Sequence, residues 1–237
     1  MTDRDVARRL TAEAVGTALL VAVVVGSGIA AQRLSPGDLG LQLLENAAAT
    51  GAGLAALIVA FGPVSGAHFN PVVTLADRLF GGLPTGTAVA YMGAQLVGAC
   101  AGAIVANLMF DLEAVTFSST DRSSRGLWLG EVVATFGLLV VVLGVARSRR
   151  TEVAPFAVGG YIAAAYWFTS STSFANPAVT VGRTLTDTFA GIAPASVPAF
   201  VVAQFAGGLG AVALARFLHP DVRAEALVVP HDPPEAA

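Results

Sequence analysis

Ser65-Gly66-Ala67-His68-Phe69-Asn70-Pro71-Val72-Val73-Thr74-Leu75 lies between two long apolar stretches, and Ser171-Thr172-Ser173-Phe174-Ala175-Asn176-Pro177-Ala178-Val179 repeats its Asn-Pro dipeptide in the second half of the chain. Asn is a favoured helix N-cap and Pro suits the first helical position, so each dipeptide marks a helix that begins inside a hydrophobic layer. The apolar pieces that follow, about 70–79 and 176–185, are too short to cross a membrane. At about 1.5 Å per residue they reach roughly 15 Å, half of a hydrocarbon core about 30 Å thick. Two half-helices with facing N-termini focus positive potential where a solute must pass, and such a point repels cations and protons. Non-helical backbone at this depth is tolerated only in a water-lined or protein-buried place, so Ser65–Phe69, with Gly66, Ala67 and His68, and Ser171–Ala175 are expected to line a path.

The rest of the chain supports that setting. Of the 237 residues 55% are apolar and 12% charged, with 26 glycines; mean hydropathy is +0.72. A soluble domain carries about twice that charge, so the chain is expected to be an integral membrane protein whose surroundings are a lipid bilayer. Apolar stretches at roughly 11–31, 43–62, 86–109, 127–147, 153–169 and 196–218 predict six transmembrane helices. With six spans both termini share a side. Nine of the 13 arginines (Arg4, Arg8, Arg9, Arg78, Arg147, Arg149, Arg150, Arg216, Arg223) fall on it against Arg33, Arg122, Arg125 and Arg183 opposite, which makes the termini cytoplasmic. Trp128 and Trp167 then both sit at the outer interface, the depth that amphipathic rings prefer. The net charge of −3 shows no face built for nucleic acid, and the lone Cys100 permits no internal disulfide. No cleavable signal is expected, because no small-residue site is followed by a polar mature domain. The tail from about 219 to 237 is rich in Pro, Ala and charge and is expected to be disordered.

The two halves echo each other in order. Glu13 and Thr17 match Glu131 and Thr135, and Gln95 and Gly98 match Gln204 and Gly207. Three spans per half is an odd number, so the second copy inserts upside down, which gives an inverted repeat with its site near the midplane. The repeats cover about 11–109 and 127–218 of a single domain.

The long first motif, the second Asn-Pro-Ala and the Glu-led spans resemble the aquaporin and aquaglyceroporin family. The resemblance implies an all-α membrane fold of six helices and two re-entrant half-helices, one pore per monomer and a homotetramer. It implies that Asn70-Pro71-Val72 and Asn176-Pro177-Ala178 meet at the centre, each Asn capping its helix and turning an amide N–H into the lumen. Glu13 and Glu131 would then brace the loops. It places an outer filter at Thr50, Ser173, Val179 and a residue of span five. Counted from Pro155 the last is Tyr166 and counted back from Asn176 it is Ala164, with Tyr166 preferred. Val179 stands where the family has an Arg that donates hydrogen bonds to solute and repels cations. Its loss leaves the dipole barrier alone against protons, so a proton leak is the corresponding hypothesis. Arg183 lies on the same helical face but about 6 Å further out, and is not expected to reach the pore.

A filter with Thr50 and Val179 reads as wider and less polar than a water-only pore. The run from Asn176 through Arg183 to Gly191 resembles a bacterial subgroup associated with metalloid resistance, which makes undissociated arsenite or its methylated form the leading solute. Glycerol, urea or water facilitation is the runner-up. A secondary transporter also uses broken helices but needs a coupling acid, and neither half-helix start carries one. An intramembrane enzyme needs a nucleophile with a base or a set of metal ligands, and of three histidines only His68 lies outside the tail. Catalytic residues, metals and cofactors are therefore not expected; His68 reads as a packing residue and Cys100 as a small core residue.

Overall fold

Hydrocarbon offers backbone groups no water, so apolar spans must satisfy their own N–H and C=O groups, and they do so as helices. The computed structural model describes residues 3–148 and 151–218. Its helices are α1 Asp3–Leu34, α2 Leu39–Ser65, α3 Pro71–Leu79, α4 Thr85–Met109, α5 Arg125–Arg147, α6 Ala154–Phe168, α7 Pro177–Gly182 and α8 Val197–Leu218. No strand occurs among the described residues. Asp38 caps α2 through Leu41 N–H at 2.9 Å, and Ser124 caps α5 through Leu127 N–H at 3.3 Å. The expected tail, with His219, His231 and Arg223, lies outside the described residues, as do Arg149 and Arg150.

Six helices span the membrane and two are half-helices. Three elements differ in detail from their expected bounds. The first helix starts at Asp3, because its polar first turns continue the hydrogen-bonded ladder beyond the apolar layer that hydropathy detects. The second likewise runs on to Ser65, where Gly66 at φ +86° ends it. The α6 helix, 15 residues long and entered through a 3-10 turn at Thr151–Val153, falls within one residue of its expected bounds at each end. The second half-helix is α-helical for six residues and tightens to a 3-10 turn over Arg183–Leu185.

The first four helices and the last four form matching halves. The α1/α4 and α1/α2 contacts of one half reappear as α5/α8 and α5/α6 in the other, and α2 meets α6 across the join. Each half-helix packs against the last helix of both halves, α3 on α4 and α8, α7 on α8 and α4. Small residues allow the approach. A Cβ at Gly98 or Gly102 of α4 would collide with the Ala14 or Ala18 carbonyl of α1, and one at Gly207 of α8 with the Val132 carbonyl of α5. Trp128 and Trp167 are exposed on the outside of the bundle.

Candidate functional site

Between α2 and α3, and between α6 and α7, the chain dips into the bundle as two loops of matching backbone. Ala67 and Phe69 in one, and Ser173 and Ala175 in the other, have φ of 49–51°, with Thr172 at 59° opposite Gly66. Left-handed conformations cost non-glycine residues about 1–2 kcal/mol each, so something must offset five of them. Two fully buried carboxylates do. Glu13 accepts from His68 N–H at 2.9 Å, Phe69 N–H at 2.7 Å and the Ser65 hydroxyl at 2.6 Å. Glu131 accepts from Phe174 N–H at 2.8 Å and Ala175 N–H at 2.9 Å, and the Ser171 hydroxyl also serves it. Hydrogen bonds to a charged acceptor are worth about 1.5–3 kcal/mol each, enough to hold the strained loops.

Glutamine and threonine tie each carboxylate to its half-helix. Gln95 donates to Glu13 at 2.7 Å and to Thr74 at 2.9 Å; Gln204 donates to Glu131 at 2.5 Å and to Thr180 at 2.9 Å. The threonines were not singled out from sequence, although each stands four residues after its Asn. The other matched pair, Thr17 and Thr135, is buried with hydroxyls that make no hydrogen bond among the described residues, and nothing in the structure explains it.

Asn70 Oδ1 accepts from Val72 N–H at 2.9 Å, and Asn176 Oδ1 from Ala178 and Val179 N–H at 3.0 and 3.2 Å. With Pro71 and Pro177 at the first helical positions, this starts both half-helices at mid-depth. The two amides also clasp each other's loops. Asn70 Nδ2 donates to the Ala175 carbonyl and Asn176 Nδ2 to the Phe69 carbonyl, both at 2.7 Å. One N–H of each amide is thereby committed across the join, a constraint not foreseen from sequence, and one N–H per Asn remains for a solute.

One cavity passes this clasp. Following the helices, it runs from Ala146 and Ala154, at the end that carries the N-terminus, past Asn70 and Asn176 to Thr50, Tyr166 and Arg183 at the distal end. Its volume is about 110 Å³, a short file of waters at roughly 10–15 Å³ of such space apiece. Gly66, Ala67, His68, Ser173 and Val179 also line it, whereas Pro71, Val72, Pro177 and Ala178 do not. At the distal end the Thr50 and Tyr166 hydroxyls lie 3.2 Å apart and share a hydrogen bond. Ser173 Oγ is buried with no hydrogen-bond partner among the described residues. Ala164, the other reading of span five, is exposed on the outside of the bundle. The His68 ring packs edge-on to Tyr91, and its Nδ1 lies 3.1 Å from Thr74 Oγ1.

Arg183 corrects the expectation from sequence. It lines the cavity and is 2% exposed. The helical extrapolation from Val179 fails because α7 ends at Gly182, and the Arg183 side chain is drawn to Phe174, its guanidinium carbon 3.4 Å from the ring centroid, and to the Ala190 carbonyl. Sequence carried no signal for this contact except an arginine beside an apolar motif.

Six spanning helices around a cavity clasped at mid-depth by two half-helices define a membrane channel. The comparisons agree. The model of the major intrinsic protein family matches residues 1–174. The chain is 50% identical over 218 residues to aquaglyceroporin AqpS of Rhizobium meliloti (strain 1021), an alignment covering 92% of this chain and 93% of that protein. It is 30% identical over 240 residues to the probable aquaporin AqpM of Archaeoglobus fulgidus, covering 90% and 97%. The crystal structure of the aquaglyceroporin from Plasmodium falciparum superposes with a TM-score of 0.71 at 19% identity, over 91% of this chain and 98% of that one, a likeness of fold. The chain belongs to the major intrinsic protein family, whose aquaglyceroporins are channels and not enzymes.

Proposed function

We propose that this channel passes neutral hydroxylated solutes by diffusion, undissociated arsenite or its methylated form foremost and glycerol with them. The observation that carries the proposal is the cavity lining, which the aliphatic Val179, 5% exposed, shares with the unpaired Ser173 hydroxyl and the Thr50/Tyr166 pair. Such a lining offers hydroxyl contacts together with apolar wall, which suits a compact trihydroxide. A neutral solute exchanges water for the free Asn70 and Asn176 N–H groups and the loop carbonyls, whereas an ion loses hydration that the wall does not replace. Passive flow is supported by the cavity lining, which includes no Asp or Glu to act as a coupling acid.

Proteoliposomes under gradients of arsenite, glycerol, urea and water test the reading. Arsenite flux well above protein-free vesicles is expected, falling as pH rises and the acid ionises. Glycerol or urea flux with arsenite at background gives the runner-up, and uphill accumulation that an ionophore abolishes turns the protein into a transporter.

The proposal extends to the setting: a single channel domain over 1–237, assembled as a homotetramer in the inner membrane with both termini cytoplasmic. The arginine asymmetry supports the orientation. Protease protection of tagged termini in oriented vesicles and the mass of the detergent-solubilised particle check these points.

A further inference from the structure

The distal mouth holds two arginines around one aromatic ring. The Arg183 guanidinium lies over Phe174, and that of Arg122 lies 5.0 Å from the same ring centroid. Phe174 is itself held firmly, by its N–H on Glu131 and by edge-on packing against Phe200 at 5.2 Å. Segment 186–196 closes over the pair, with the Ala190 carbonyl on Arg183 Nε and the Gly191 carbonyl accepting from Arg122 Nε at 3.0 Å. Only the Nε of Arg183 is engaged. Its two terminal nitrogens make no hydrogen bond among the described residues, and the Arg8–Asp5 ion pair lies elsewhere. A buried guanidinium with one carbonyl acceptor and no carboxylate partner among the described residues is costly to keep, so the cavity's contents must solvate its terminal nitrogens.

We infer that Arg183 is the specificity-determining residue of the distal mouth: it donates hydrogen bonds to the hydroxyls of a neutral solute and supplies the fixed positive charge that bars cations, the part that Val179 leaves open. The inference rests on the channel reading above. Three features carry it. Arg183 shares the cavity with Thr50, Tyr166, Ser173 and Val179. Its plane is fixed by the Phe174 face and the Ala190 carbonyl, so the unused N–H groups are presented in one orientation. Arg122 adds a second charge of the same sign on the same aromatic platform. The proton leak suggested by Val179 alone is accordingly not expected.

Purified full-length protein in liposomes tests this through ion leak driven by an imposed potential, read beside neutral-solute flux. The wild type is expected to pass glycerol or arsenite with a proton and sodium leak equal to that of protein-free vesicles. Arg183→Met is expected to raise the leak about tenfold or more, because a charge facing a narrow, poorly screened mouth is a steep barrier. Arg183→Lys, which keeps the charge, stays tight but loses solute preference with the guanidinium fork. Should Arg183→Met fail to fold, Val179→Arg in the wild-type background decides. Crowding a second guanidinium into the ring lowers solute flux several-fold with no change in leak if Arg183 already guards it. A leak in the wild type that Val179→Arg abolishes overturns the inference, as does an Arg183→Met variant as tight as wild type. A wild type that passes no neutral solute overturns the channel reading and this inference with it.

Discussion

Replacing the Glu131 carboxylate by an amide leaves one oxygen where two backbone N–H groups each claim their own, and sets an N–H donor against another donor. Glu131→Gln should therefore cost about 2–4 kcal/mol, the price of a buried unsatisfied donor plus a lost charged hydrogen bond. A lowered unfolding temperature in detergent together with lost solute flux is the expected result; unchanged values mean that the loop does not depend on this brace. Glu13→Gln should behave alike, since Glu13 likewise carries two loop N–H groups and a serine hydroxyl. At this scale the paired Asn, Glu and Gln residues were legible because they recur in order in two halves. Arg183 was not. Where its guanidinium rests depends on Phe174 and Ala190, whose positions no local pattern encodes.

Helix pairing depends on missing side chains. Gly102→Leu drives a bulky group into the Ala18 carbonyl of α1, and overpacking of this kind typically costs about 1–3 kcal/mol. Less monodisperse protein on size exclusion is expected, while Gly93→Ala, with open space around it, should be neutral or mildly stabilising. The distal loops make a pH-dependent contact. Ser119 N–H donates to Asp187 at 2.9 Å, and this bond holds the Asp187 carboxyl below the usual carboxylate range. A lowered folded value means that the ionised latch stabilises above the ordinary Asp pKa and is lost as pH falls through the lowered one. The protection factor of the Ser119 amide, its exchange rate corrected for the intrinsic pH dependence, should fall on acidification in the wild type and be low and independent of pH in Asp187→Ala. Element positions were largely readable, since hydropathy and capping are local signals. The early start of α1 and the late end of α2 were not, because helical hydrogen bonding ignores the apolar boundary.

The halves complete each other, since α3 rests on α8, α7 on α4 and α2 on α6. Fragments 1–113 and 114–237, separated in the exposed stretch after α4, should each fail to conduct when expressed alone and should restore solute flux when expressed together. Flux from one fragment alone contradicts the interlocked arrangement. The chain's residues alone determined the membrane setting, the inverted repeat and the two mid-depth helix starts, because apolar run length, internal recurrence and Asn-Pro capping are properties of neighbouring residues. Tyr166, preferred over Ala164 by the count from Pro155, lines the cavity, whereas tertiary structure alone brought Arg183 to the distal mouth, folded back over Phe174. The register of α6, the early end of α7 and the wrap of segment 186–196 are set by packing between parts of the chain distant in sequence, and a long side chain goes where that packing leaves an aromatic face and a carbonyl to hold it.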